Sequence, residues 1–188
     1  MSERLKGFRV AILATDLFEE SELLEPRKAL DEAGATTVLI APHPGEIQAV
    51  KHDKPTVKVK VDQTLADADP DKFDALLLPG GEKNADSLRK EPLAQDFARR
   101  IDQTRRPVAF ICHGGWLLVS ARLVKGRHLT SYQTIQEDFR NAGAFWKDNE
   151  VVLDGNWVSS RQPSDIPRFN QEMLSLFMDC LARSRKIA

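Results

Sequence analysis

Short runs of apolar residues alternate along this chain with longer stretches in which apolar residues recur at helical spacing. The apolar runs predict buried strands at Phe8–Ala14, Thr36–Ala41, Phe73–Leu78 and Pro107–Ile111. Strands that are separated by helices pair in parallel, and a parallel sheet must be covered on both faces. The alternation therefore predicts an α/β fold, a three-layer sandwich whose central, mostly parallel sheet has helices on both faces.

The remaining elements follow from periodicity and from turn residues. Lys54–Val61 alternates valines with lysines, which predicts a half-buried edge or accessory strand. Asp154-Gly155-Asn156 separates two short apolar runs, which indicates a hairpin. Helical patterns cover five segments, Ser21–Ala33, Leu93–Ile101, Trp116–Leu123, Thr134–Asn141 and Ile166–Arg183.

The composition is that of a single globular domain. A length of 188 residues suits one domain, residues 1–188, and a content of 41% hydrophobic and 29% charged residues excludes a disordered chain. The formal net charge of −1 provides no field for binding nucleic acid or an anionic membrane. The early apolar run Val10–Ala14 is too short for a signal peptide or a membrane span, so we expect a cytoplasmic protein.

The sequence indicates neither a metal site nor a cofactor site. Cys112 and Cys180 lie far apart with no Cys-x-x-Cys pair, which excludes a disulfide framework and a thiolate zinc site. The histidines show no metal-ligand spacing, and Pro79-Gly80-Gly81 matches neither a phosphate loop nor a dinucleotide-binding fingerprint. We therefore expect no cofactor and no metal, and we expect Cys180 to be an inert packing residue.

Chemistry is expected at the carboxyl ends of the strands, where open parallel sheets bind ligands. Three of these ends carry polar or small residues, namely Asp16–Glu22, Pro79–Gly81 and Cys112–Gly115. The strand that runs into Cys112 is followed at once by a helix, which is the geometry of a nucleophile elbow. Such a turn strains the backbone, exposes the sulfur and places it beside a helix N-terminus, which lowers the pKa of a thiol. We therefore expect Cys112 to be a reactive nucleophile rather than a small buried apolar residue.

Six blocks of sequence occur in a characteristic order. They are Phe18–Leu23, Phe73–Gly81, Asp86–Arg89, Ile111–Gly114, Leu129–Tyr132 and Asp154–Arg161. Together they resemble the PfpI family of the ThiJ/PfpI superfamily, whose flavodoxin-like domain is similar to that of class I glutamine amidotransferases. Gly115 stands where members commonly have proline, which is expected to loosen the start of the next helix, and Gln162 stands where many have glycine.

The resemblance implies a carboxyl partner for the cysteine. Glu19 matches the family's acidic partner, and a carboxyl in contact with a sulfur must share a proton with it. We therefore expect Glu19 to be protonated and to donate to the Cys112 thiolate. The alternative is that Glu19, Glu20 and Glu22 only complement the N-terminus of the first helix, which is what we expect of Glu20 and Glu22.

The resemblance also implies a base, and the glycines suggest an oxyanion hole. His113 matches the family's proposed general base, and Asp86 matches an acidic group that orients the base and can come from a neighbouring subunit. The alternatives are a structural histidine and an N-cap of the following helix. The backbone amides of Gly81 and Gly114 are our candidates for the oxyanion hole, because both follow strand ends and neither has a side chain that blocks approach.

These residues predict a cysteine-dependent enzyme in which the Cys112 thiolate attacks an electrophilic carbon, and water or rearrangement releases the product. The resemblance implies a stress-associated hydrolase that removes early glycation adducts, converts 2-oxoaldehydes or cleaves peptides. It also implies a homodimer or a larger homo-oligomer. From the charge balance we expect no membrane and no specific nucleic acid as a partner. The competing hypotheses are a redox sensor, whose Cys112 is oxidised to sulfenic and then sulfinic acid, and a holdase.

Overall fold

Strands and helices alternate along most of the chain, as the sequence predicts. The computed structural model describes residues 4–187, with side chains as far as residue 185. The strands are β1 (Arg9–Leu13), β2 (Phe18–Glu19), β3 (Thr36–Ala41), β4 (Glu46–Lys51), β5 (Lys54–Lys60), β6 (Gln63–Thr64), β7 (Ala75–Leu78), β8 (Val108–Ile111), β9 (His128–Leu129), β10 (Phe145–Trp146), β11 (Val151–Asp154) and β12 (Trp157–Ser160). The α-helices are α1 (Glu20–Glu32), α2 (Glu82–Leu88), α3 (Pro92–Gln103), α4 (Trp116–Ser120), α5 (Gln136–Asn141) and α6 (Ile166–Ile187). Within these described residues, no helix is long and apolar enough to cross a lipid bilayer.

In the central sheet, the carboxyl ends of three strands lie side by side. In residues 4–187, seven strands form this sheet in the order β11-β12-β8-β7-β1-β3-β6. Every neighbouring pair is parallel except β11 and β12, which form the predicted antiparallel hairpin at one edge. Because parallel strands share one direction, the carboxyl ends of β8, β7 and β1 lie side by side at the same edge of the sheet.

Side chains of the central strands point alternately into two separate cores. In β1, Val10 and Ile12 pack with the residues of α1 and α6, whereas Ala11 and Leu13 pack with those of α3, α4 and α5. All residues of β7 and β8 are buried, as expected for strands that are covered on both faces. The structure therefore confirms the predicted three-layer α/β sandwich.

A smaller sheet lies beside the strand ends. Among the described residues it contains β2, β4 and β5, and the predicted accessory strand is confirmed as β5. The predicted half-burial is wrong, because β5 occupies the free edge and nearly all of its residues are exposed. The pattern of Glu46–Lys51 does not predict β4, because this strand mixes charged and apolar residues and is held by pairing on both sides. His52 and Asp53 form the turn between β4 and β5 with φ values of 49° and 66°, which a two-residue hairpin of this hand requires.

Two helices next to the strand ends differ from the prediction. The sequence pattern does not predict α2, which is short and begins directly after Gly81, a residue with φ of 92°. The helix after Cys112 is predicted to reach Leu123, but α4 ends at Ser120. The physical reason is Arg122, whose φ of 61° lies outside the range of a right-handed helix.

Candidate active site

Cys112 lies in a strained turn between β8 and α4. Its φ is 61°, a left-handed value that is uncommon for residues other than glycine. The turn is closed by two backbone hydrogen bonds, from the Gly114 amide to the Ile111 carbonyl at 3.0 Å and from the Trp116 amide to the His113 carbonyl at 2.9 Å. The backbone therefore has the geometry that the sequence predicts for a nucleophile elbow.

Two glycines let this turn approach the end of β7. A Cβ atom at Gly114 would lie 2.8 Å from the Pro79 carbonyl oxygen and 3.0 Å from that of Ile111. A Cβ atom at Gly80 would lie 2.6 Å from the Cys112 Cβ and would collide with a carboxyl oxygen of Glu22. Larger residues at either position would push the elbow away from the neighbouring strand end, so both glycines are required for the observed position of the sulfur.

The carboxyl group of Glu22 lies beside the Cys112 sulfur. Glu22 is fully buried, and neither carboxyl oxygen has a hydrogen bond of normal geometry, although the Cys112 side chain and the Gly80 amide are next to it. Burial, followed by the charge of Glu19, raises the pKa of Glu22 from 4.5 to about 8, against smaller lowering effects of Cys112 and Gly80. Glu22 therefore holds its proton at neutral pH.

The prediction that Glu19 contacts the sulfur is wrong. Glu19 precedes α1 in an extended conformation, and its carboxylate accepts a hydrogen bond from the His52 amide at 3.3 Å, so it faces the β4–β5 turn. Glu22 comes three residues later, on the buried face of α1 with Pro26 and Leu30. The signal in the sequence is the helical spacing of residues 22, 26 and 30, which places an acidic residue on an apolar stripe. Burial of a carboxyl there costs free energy, which indicates a functional site.

The sulfur of Cys112 is less exposed and less acidic than the sequence suggests. The residue retains only 8% of its accessible surface, and it lines a cavity of about 410 Å³. Burial, followed by the charge of Glu22, raises the pKa of the Cys112 thiol well above its ordinary range, although the amides of His113 and Gly81 lower it. The expected lowering by a helix N-terminus is wrong, because α4 is short and burial outweighs it. Cys112 is therefore a neutral thiol that needs a base.

His113 is placed to be that base. Its Nδ1 lies 3.2 Å from the Cys112 Sγ, and its ring packs against Trp116 and Tyr132 with centroid distances of 5.1 and 5.0 Å. Burial lowers the pKa of His113 below its ordinary value of 6.5, against an opposing effect of Glu82. A neutral imidazole can accept a proton from the thiol, and the 3.2 Å distance places the His113 ring within reach of the sulfur.

Of the two amides predicted for the oxyanion hole, that of Gly81 faces the sulfur and that of Gly114 does not. The Gly81 amide faces the Cys112 sulfur, as does the amide of His113. The Gly114 amide does not, because it donates to the Ile111 carbonyl within the elbow. The candidate oxyanion hole is therefore formed by Gly81 and His113, and Gly114 is required for close packing instead.

Asp86 is separate from the sulfur within one chain. It lies inside α2, so the alternative that it is an N-cap is wrong, and it forms an exposed ion pair with Lys90 at 3.8 Å. In the described residues of one chain, Asp86 makes no hydrogen bond with His113. It lines a shallow groove with Ser87 and Trp116, and this groove shares Glu82 and Lys83 with the cavity at Cys112.

The two departures from the family pattern have different structural consequences. Gly115 has φ of −67°, a value that suits proline, but a Cβ atom there would lie 2.8 Å from ring atoms of Phe110 and Phe139. These rings fill the space, and α4 begins at Trp116. Gln162 lines the cavity, where it adds a polar side chain to the wall. Within residues 4–187 there is no cluster of His, Cys, Asp and Glu side chains that could hold a metal ion.

Comparisons with known proteins find relatives over most of the chain. The sequence profile of the DJ-1/PfpI family matches residues 8–176. The putative cysteine protease YraA of Bacillus subtilis is 42% identical over 168 residues, which cover 89% of this chain and 97% of that protein. The deglycase PfpI of Pyrococcus furiosus is also 42% identical, over 89% of this chain and 98% of its own length. A solved two-domain protein of Anabaena variabilis, with a DJ-1/ThiJ/PfpI-like and a ferritin-like domain, superposes with a TM-score of 0.84 at 31% identity, covering 89% of this chain and 47% of that one.

The raised pKa of Glu22 makes stability depend on pH. A carboxyl whose pKa is about 8 when folded and 4.5 when unfolded stabilises the folded state fully below pH 4.5, and this contribution is lost as the pH rises to 8. At pH 7 the loss amounts to about 3 kcal/mol. We therefore expect Glu22→Gln, which is neutral at every pH, to gain stability relative to the wild type across this window in urea unfolding.

The matched control is Glu25→Gln, because Glu25 is exposed on the same helix. Glu25→Gln should show no comparable gain in stability, because the side chain at this position keeps its contact with water in the folded protein. A constant difference for Glu22→Gln would mean that Glu22 is ionised in the folded protein.

Proposed function

Because the chain belongs to the DJ-1/PfpI family, we propose that it is a cysteine-dependent deglycase that removes 2-oxoaldehyde adducts from amines in a stress response. The observation that carries the proposal is a neutral thiol at a cavity floor with an imidazole nitrogen 3.2 Å from its sulfur. The name of the relative from Pyrococcus furiosus supports the substrate class.

The first step releases the amine. The substrate is a hemiaminal, in which the former aldehyde carbon carries a hydroxyl group and the amine nitrogen. The Cys112 thiol gives its proton to His113 as its sulfur forms a bond to that carbon, and the carbon–nitrogen bond breaks. His113 then returns the proton to the departing amine, and a hemithioacetal remains on the sulfur. The amides of Gly81 and His113 face the sulfur, where they stabilise the negative charge that develops as the proton leaves.

The second step restores the thiol without an external oxidant or reductant. A proton moves from the hydroxyl-bearing carbon to the neighbouring ketone carbon through an enediol, so the first carbon is oxidised as the second is reduced. The product is a thioester of a 2-hydroxy acid, and water hydrolyses it to the acid and the free thiol. His113 is the base within reach of the sulfur, and the protonated Glu22 keeps a second negative charge away from the adduct.

The same geometry favours an enzyme over a redox sensor. A sensor cysteine is oxidised as a thiolate and is accessible to peroxide. The sulfur of Cys112 is buried, and its pKa is raised by burial, which slows spontaneous oxidation. An enzyme, in contrast, needs no thiolate at rest, because His113 can take the proton as the sulfur attacks a bound substrate.

Turnover of a glycation adduct tests the proposal. We expect the wild type to release free amine and a 2-hydroxy acid in equal amounts from the methylglyoxal adduct of Nα-acetyllysine amide. Cys112→Ser should lose at least about a thousandfold of the rate, since removal of a nucleophile leaves only binding effects. Cys180→Ser is the matched control, because Cys180 lies on α6, and it should keep the wild-type rate. Turnover that survives in Cys112→Ser, or selective oxidation of Cys112 without turnover, would reject the proposal.

We further propose that the enzyme is a homodimer or a larger homo-oligomer in which Asp86 orients His113 of a neighbouring subunit. The Nδ1 atom of His113 faces the sulfur, so an orienting carboxylate must reach Nε2. Asp86 is exposed and lies in the groove that adjoins the cavity. When two chains associate through this surface, Asp86 of one chain can reach the Nε2 atom of His113 in the other.

Mixed oligomers test this arrangement. Cys112→Ser and Asp86→Asn should each be inactive alone. A dimer that contains one chain of each variant has one intact site, which combines Cys112 of the Asp86→Asn chain with Asp86 of the Cys112→Ser chain. For a dimer that exchanges subunits at random, about a quarter of the wild-type activity should return. A mixed assembly that stays inactive, or an active monomer, would show that Asp86 has no role across an interface.

A further inference from the structure

We propose that Asn84, a residue of α2 that does not line the cavity, is a positioning residue that directs the Gly81 amide towards the Cys112 sulfur. The proposal rests on the function proposed above, in which Cys112 is the nucleophile, and it adds the side chain that orients one donor of the candidate oxyanion hole. It follows from the hydrogen bonds of a buried carboxamide and from the planarity of one peptide bond.

Asn84 is a fully buried polar residue that connects two strand ends. Its side-chain oxygen Oδ1 accepts a hydrogen bond from the Thr15 amide at 2.7 Å, just after β1. Its nitrogen Nδ2 donates to the Pro79 carbonyl at 3.2 Å and to the Gly80 carbonyl at 2.9 Å, just after β7. Burial of an amide group costs free energy unless its polar atoms are hydrogen-bonded, and here both of them are.

The neighbours of Asn84 determine which way its carboxamide points. The Thr15 amide is a donor and needs the side-chain oxygen, whereas the two carbonyls are acceptors and need the side-chain nitrogen. An exchange of oxygen and nitrogen would place donor against donor and acceptor against acceptor. An ionised aspartate would likewise have no N–H group for the carbonyls. The contact with the Gly80 carbonyl is therefore specific to asparagine in this orientation.

The peptide bond between Gly80 and Gly81 transmits this contact to the Gly81 amide. The bond is trans, and in a trans peptide the C=O and N–H bonds lie in one plane and point in opposite directions. Asn84 holds the Gly80 oxygen at one edge of this plane. The Gly81 N–H consequently points away from Asn84, on the side where it faces the sulfur of Cys112.

The backbone alone restrains this peptide plane weakly. It lies between two glycines, and Gly81 has φ of 92°, in a region where glycine turns at low cost. The Gly80 carbonyl also accepts a hydrogen bond from the Glu19 amide, but at 3.3 Å this contact is longer than the 2.9 Å contact with Asn84. The side chain of Asn84 is therefore the stronger of these two restraints on the direction of the amide.

The direction of the Gly81 amide affects the reactivity of the sulfur. This amide and that of His113 lower the pKa of the Cys112 thiol, against the larger raising effect of burial. If the Gly81 amide turns away, the thiolate loses a donor and the pKa of the thiol rises further. A merely structural role of Asn84 predicts the opposite change in reactivity, because a loosened strand end would expose Cys112, which retains only 8% of its accessible surface.

Alkylation of Cys112 by iodoacetamide separates these two roles without any need for turnover. In a Cys180→Ser background Cys112 is the remaining cysteine, and its thiolate bonds to the methylene carbon as iodide leaves. We expect the midpoint of the pH profile to rise by about one pH unit in Asn84→Ala and in Asn84→Leu. The rate at pH 7 should fall by at least about threefold, because the greater nucleophilicity of a less acidic thiol compensates only part of the loss.

Two variants are used because they treat the vacated space differently. Alanine leaves room for a water molecule, whereas leucine fills the space with apolar atoms, so one variant serves if the other does not fold. The matched control is Asn156→Ala. Asn156 is also buried and donates to the Asp102 carboxylate and the Arg106 carbonyl at 2.9 Å, but it lies at the opposite end of β8 and β12 from the elbow. It should lose stability in urea unfolding and keep the parent's alkylation profile.

Turnover provides the second readout. For the methylglyoxal adduct of Nα-acetyllysine amide, we expect the kcat of Asn84→Ala to fall by at least about tenfold with KM unchanged, since the amide acts on charge that develops in the transition state. An unchanged alkylation profile in the folded Asn84 variants, faster alkylation than in the parent, or the same shift in Asn156→Ala would overturn the inference. Absence of wild-type turnover, together with the predicted alkylation shift, would reject the deglycase function and support the role of Asn84.

Discussion

The burial of the Glu22 carboxyl beside the Cys112 sulfur is the constraint on which the rest of the site depends. An ionised carboxylate without partners is too costly to bury, so the group keeps its proton, and its pKa rises to about 8. The contact leaves no room for a side chain at position 80, and it requires the first turn of α1 to pack directly on the strand ends. Residues from β7, β8 and α1 are thereby fixed around one sulfur.

This arrangement explains how the site can be both stable and reactive. The Cys112 thiol is neutral at rest because burial raises its pKa, and a neutral thiol is slow to oxidise. Its proton acceptor, the Nδ1 of His113, is already 3.2 Å away, and two backbone amides face the position where negative charge develops. The thiol therefore keeps its proton at rest, and His113 can accept that proton when the sulfur attacks a substrate.

The central strands could be predicted from the sequence because each of them is a continuous apolar run, and the elbow could be predicted because Cys112 follows such a run without a loop. For Glu22 the sequence predicts only an interaction with the helix dipole, because the resemblance points to Glu19. The position of residue 22 on the apolar stripe of α1 is the signal that favours Glu22. The exchange of Gly114 for His113 in the candidate oxyanion hole could not be predicted, since it depends on which amide the turn itself uses. For α2, a short helix of mixed polarity, packing rather than periodicity determines the structure.

The most direct test of the account is a titration of the Glu22 side chain itself. The carboxyl carbon of Glu22, labelled with ¹³C and assigned by comparison with Glu22→Gln, is followed by NMR as the pH is raised. The account predicts that this carbon titrates with a midpoint near 8 in the folded protein. A midpoint near 4.5, the value of an ordinary glutamate, would contradict the claim that a protonated carboxyl lies against the sulfur.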